Sequence, residues 1–147
     1  MNFLCLGHRK LLSQQYKHQQ QSLWQEWMTK ASLHYEFQQW SQAASYFGCA
    51  FELSCITLAK DNQQKEQLEN NLTLAAIYLV NCFEHLKEYQ KAELFNNECQ
   101  QILLSYWSKN TDTKGCGICL NALIKKPQQA VFLQQFSQLV SFQQAPL

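Results

Sequence analysis

The chain repeats itself. A shift of 49 residues lays the stretch from Trp27 to Leu53 on the stretch from Ala76 to Ile102, with Trp40 on Tyr89, Ala43 on Ala92, Phe37 on Leu86, Ala50 on Cys99 and Leu53 on Ile102. A fixed period constrains the fold strongly, because each copy must be one unit that buries its apolar face against its neighbour. Within each copy the apolar positions recur at three and four residues and rarely alternate, which is the period of a helix. Four glycines and two prolines in 147 residues leave little material for turns. The chain is therefore expected to be all-α, and at this length a single domain over 1–147 is the default.

In chain order, residues 1–22 hold an N-terminal helix: 2–13 carries an apolar stripe of Phe3, Leu4, Leu6, Leu11 and Leu12 and packs on the first hairpin. After a break near Ser13-Gln14-Gln15, helix resumes from Tyr16 to about Phe37, although its Gln-rich start shows no strong face. Repeat 1 spans 24–60, its second helix starting near Trp40 with Ser41 as cap and ending near Lys60. The polar run at 61–67 is a loop or an exposed first turn. Repeat 2 spans 68–107, as helices from Leu68 to Leu86 and from Tyr89 to Trp107. Ala43 and Ala92 are read as the small residues that let paired axes approach. A break at 108–117 precedes a degenerate capping hairpin at 115–143, whose second helix opens at Pro127. The last four residues are expected to fray. Trp24, Phe132 and Phe136 are left as surplus apolar surface, which makes a homodimer an alternative.

Trp27, Ala31, Ala43, Phe47 and Ala50 form a series in which an aromatic enters the first helix and a small-aromatic-small set follows in the second. In the second copy Leu79, Phe83, Tyr89 and Ala92 fit the same places. The pattern resembles the tetratricopeptide repeat. That resemblance implies antiparallel hairpins stacked as a short right-handed superhelix, with the first helices lining a groove that binds a peptide or helix of a partner protein. The family's groove spacing falls on Gln25, Met28, Ser32, Tyr35 and Glu36, and on Leu74, Ile77, Asn81, Glu84 and His85. Met28, Ser32, Tyr35, Glu36, Ile77, Asn81, Glu84 and His85 are the partner-binding candidates. Ile77 stands where one subclass uses Lys to grip a terminal carboxylate, so that mode is not implied.

Other chemistry finds less footing. A formal charge of +1 with scattered Lys and Arg offers no basic stripe for nucleic acid. No apolar run reaches the roughly 18 residues of a membrane span, no leader pattern opens the chain, and a cytoplasmic location is expected. Seven cysteines, an odd count placed mostly in helical apolar patterns, suit reduced thiols better than a disulfide framework. Cys116 and Cys119 alone have redox or metal spacing, and Cys5 with His8 could complete a zinc site joining both ends. A thiol- or zinc-responsive sensor is thus the alternative from another class. His8, His18, His34 and His85 have no local partners for nucleophilic catalysis. The expectation is a non-catalytic adaptor or chaperone-like module with no cofactor, no resident metal and no catalytic residue.

Overall fold

Two three-residue turns set the architecture. Gln38 and Lys87 take left-handed backbone, with φ of 58° and 61°. Around them the amide of Gln39 donates to the carbonyl of His34 and that of Glu88 to Phe83, both at 2.8 Å, while Gln38 donates to Tyr35 and Lys87 to Glu84, both at 3.0 Å. This paired bonding closes a helix and reverses the chain, and it recurs at the 49-residue offset seen in the sequence. The computed structural model describes residues 3–60, 65–109 and 114–136. Among these the helices are α1 (Leu6–Ser13), α2 (Lys17–Glu36), α3 (Trp40–Lys60), α4 (Lys65–His85), α5 (Tyr89–Lys109), α6 (Lys114–Ile124) and α7 (Lys126–Phe136). The fold is all-α, with a repeat-like arrangement of antiparallel hairpins in which α2 pairs with α3 and α4 with α5.

The equivalent helices α3 and α5 are each 21 residues long. Ala43 and Ala92, near their starts, are buried, so a larger side chain at either place would force the axes beyond the roughly 8–10 Å of close helix packing. Helix α4 is the centre of the molecule. It packs against α3, α5, α6 and α7, and its residues from Leu68 to Val80 are buried except Asn71 and Tyr78, which are half-buried. A helix apolar on nearly all sides belongs in a core, and Leu72, Leu74, Ala75, Ala76, Ile77 and Leu79 supply that apolar surround. Among the described residues no helix is long and apolar enough to cross a membrane.

Several boundaries differ from the sequence reading. The first helix begins at Leu6, because the Cys5 side chain accepts a hydrogen bond from the amide of His8 and caps it. Phe3 and Leu4 therefore precede the helix instead of forming its stripe. Gln39, not Ser41, caps α3, since its carbonyl already accepts from the Ala43 amide. The Gln-rich start of α2 does have a face: Gln20 lies in one buried row with Trp24, Met28 and Ala31, and its amide donates to the Leu12 carbonyl at 2.7 Å, closing α1. Helix α6 starts at Lys114 and runs through the glycines of the expected break. The α6–α7 turn has no left-handed residue and does not repeat the earlier two. There Asn96 of α5 donates to the Leu123 carbonyl at 3.2 Å, satisfying a group that the last turn of α6 leaves open. Trp24 and Phe132, read as surplus surface, are buried in the monomer's own core. The frayed tail, residues 137–143 of the expected capping hairpin, residues 61–64 of the polar run, and the side chains of Phe136 and Cys116 lie outside the described residues.

Candidate functional site

The residues selected by groove spacing separate into two sets along α2 and α4. Met28 and Ile77 are 0% exposed, so their side chains belong to the core and offer no surface. Leu74 is buried in the same way. Ser32, Tyr35, Asn81 and Glu84 are half-buried, and Glu36 and His85 are exposed. The second set lies toward the C-terminal ends of α2 and α4, beside the two hairpin turns. The sequence pattern does not give the depth of these residues, because spacing places a residue on a face without saying what covers that face. Around α4 the covering is supplied by α3, α5, α6 and α7.

At this end the side chains form an aromatic cluster. Tyr35 meets Trp40, Tyr78 and Phe47 edge to face, with ring centres 5.0, 5.3 and 6.1 Å apart. Phe47 stacks on Tyr78 at 5.0 Å. The ring of His85 lies flat on Trp40, at 3.8 Å and 4°. The edge-to-face contacts of Tyr35 and the offset stack of Phe47 on Tyr78 are geometries favoured by ring quadrupoles, and each such pair adds about 0.5–1.5 kcal/mol to the burial of its area. The cluster joins α2, α3 and α4 and fixes the orientation of the Tyr35 and His85 side chains. Trp40 was read only as a repeat landmark and helix start. Its stacking with His85 places it in the cluster, and no sequence signal marks that contact except the nearness of both residues to the turns.

Polar groups surround the rings. Burial raises the Tyr35 phenol pKa, Cys82 and the carboxylates of Glu36 and Glu84 add to the rise, and a hydrogen bond with the Asn81 side chain offsets part of it. Tyr35 is therefore a neutral phenol that can donate. Glu84 takes Lys126 of α7 at 2.8 Å on both oxygens; this pair is exposed enough to contribute about 0.2–1 kcal/mol. Its geometric effect is larger, since it draws the start of α7 beside the end of α4. Phe37 and Tyr89, which flank the two turns, are 70% and 62% exposed.

The buried thiols among the described residues are placed for packing. Cys119 is buried, its Sγ 3.6 Å from the Glu69 carbonyl and 3.4 Å from Asn70 Oδ1. Burial pushes its pKa up to about 12, against a smaller lowering by Thr73. Burial likewise pushes Cys82 to about 12 and raises Cys99 well above the usual thiol value. A thiolate is the reactive and metal-binding form, so Cys119 in this setting is a thiol donor to α4. Cys5, the other half of the possible zinc site, caps α1. Among the described residues no group of three His, Cys, Asp or Glu side chains is arranged to hold a metal ion.

No family model matches the chain, and no curated protein or solved structure matches it either.

Proposed function

We infer that the protein is a non-catalytic binding module of tetratricopeptide-like hairpins, and that a partner's peptide or helix docks at the C-terminal ends of α2 and α4. The observation that carries this reading is the half-exposed cluster of Tyr35, Trp40, Asn81 and His85. Aromatic rings held in fixed orientation provide contact area at little cost in side-chain freedom, and Tyr and Trp dominate binding energy where they are central to an interface. Asn81 adds a group that can both donate to and accept from a peptide backbone. Glu36 at the rim favours a basic residue in the partner. Exposed Phe37 and Tyr89 extend the apolar contact along the turns.

A photo-crosslinking residue at position 36 or 85, introduced one at a time, tests this in the cells that make the protein. The reading expects one discrete adduct from both positions, lost when Tyr35→Ala is added, and none from position 93 of α5, which is also exposed. Equal labelling from position 93, or adducts indifferent to Tyr35, would show that the cluster is only a packing feature.

A further inference from the structure

A second surface is built by α3 and α5, where the chain's first described residues are seated. The backbone amides of Phe3 and Leu4 donate to the two carboxylate oxygens of Glu52, at 3.0 and 2.6 Å, and Arg9 Nη2 reaches the same group at 2.6 Å. Glu52 is only 5% exposed. The Phe3 ring lies against the backbone of Gly48, where an added Cβ would come within 2.4–2.5 Å of ring carbons, and its other neighbour is Phe95 of α5 at 5.6 Å. Leu4 is buried, but Leu6 and Leu11 beyond it are 82% and 64% exposed. The segment is thus pinned at a few points and otherwise lies on the surface. Past its seat the same face continues as a cleft of about 340 Å³, bounded by Cys55 and Ile56 of α3 and by Glu98 and Ile102 of α5, with Arg9 at the edge.

A buried carboxylate must keep its donors, because losing them strands a charge away from water. Whatever replaces residues 3–9 must therefore bring two successive backbone N–H groups and a cation, and the bare backbone of Gly48 leaves room for a flat ring. We propose that the α3/α5 face is a peptide-docking site occupied by the chain's own N-terminal strap, which a partner segment of matching chemistry displaces. That segment is an extended aromatic-aliphatic pair followed, about six residues after the aromatic, by Arg or Lys. Glu52 and Glu98 give the face the complementary charge. The site lies on α3 and α5 rather than on α2 and α4, so it stands independently of the aromatic cluster.

The probe is an acetylated, fluorescent peptide of residues 3–12 carrying Cys5→Ser, titrated into the full-length chain and read by anisotropy. The wild-type chain, its seat filled, is expected to bind weakly. A full-length Phe3→Pro/Leu4→Pro variant, which loses both amide donors as well as both side chains, should bind at least tenfold more tightly. Adding Gly48→Ala to it should remove that gain, since the new methyl occupies the place of the ring, and Glu52→Gln should do the same. Gly48→Ala places a better helix former inside α3, so loss of binding with an intact thermal transition cannot come from unfolding. No gain in the double variant, or a gain that survives Gly48→Ala, overturns the proposal. So does a concentration-dependent wild-type dimer that the double variant loses, because the occupant would then be a second copy's strap.

Discussion

At the scale of single residues, the turns and the thiols give the sharpest expectations. Gln38 and Lys87 hold left-handed backbone that costs a side-chain-bearing residue about 1–2 kcal/mol. Glycine relieves that cost and recovers less than all of it, because it also loosens the unfolded chain. Gln38→Gly and Lys87→Gly should therefore each raise stability by about 0.5–1 kcal/mol in chemical denaturation, and by similar amounts, since the two turns share one bonding pattern. The buried thiols titrate in the other direction. With Cys82 and Cys119 raised from 9.0 to about 12, the fold prefers the neutral thiol and the unfolded chain gives up its proton first. That stabilisation is complete below pH 9.0 and is lost as pH rises from there toward about 12. Melting temperature should be insensitive to these groups up to pH 9 and should fall above it, and iodoacetamide at neutral pH should modify exposed Cys5 while sparing both. Residue chemistry was partly legible in advance. Ala43 and Ala92 read as small contact residues and are buried, and Cys82 and Cys99 read as apolar thiols and are buried, but Cys5 is an exposed cap, and Met28 and Ile77, spaced for a groove, lie in the core. Nothing local distinguishes a groove methionine from a core one.

At the scale of elements, the helices with strong periodicity were read well and the weakly patterned ends were not. Helices α3 and α5 begin at Trp40 and Tyr89 as their alignment requires. The ends depart because contacts distant in sequence decide them. Glu52, some 48 residues further on, holds the amides of Phe3 and Leu4, and no local rule could extract those two residues from a helical stripe. In α6, packing against α4 and α5 overrides the helix-breaking tendency of its glycines. Gly117 has nothing within 4 Å of an added Cβ, so Gly117→Ala should stabilise the protein by about 0.5–1 kcal/mol through helix propensity alone. Asn96→Ala should cost about 1–2 kcal/mol by leaving the Leu123 carbonyl unsatisfied. Both are checked by urea denaturation with helical circular dichroism. A stability gain at Gly117 together with no loss at Asn96 would mean that α6 is not seated on α5.

At the scale of the whole molecule, two repeated hairpins leave the middle of α4 enclosed and the turn-proximal ends of α2 and α4 accessible. The C-terminal helices cover α4, so the accessible part of its surface is the end where Tyr35, Trp40 and His85 meet. The fold class and the hairpin pairing were legible in the 49-residue repeat. The enclosure was not, because it depends on α6 and α7, whose turn does not follow the repeat. The most direct measurement is calorimetric titration of the crosslinked partner segment, once sequenced and synthesised, into the wild-type chain and a Tyr35→Ala/His85→Ala variant. The account predicts a one-to-one complex whose affinity falls at least about tenfold in the variant, a loss of about 1.4 kcal/mol or more, with the global fold intact. Unchanged affinity in a folded variant would contradict it.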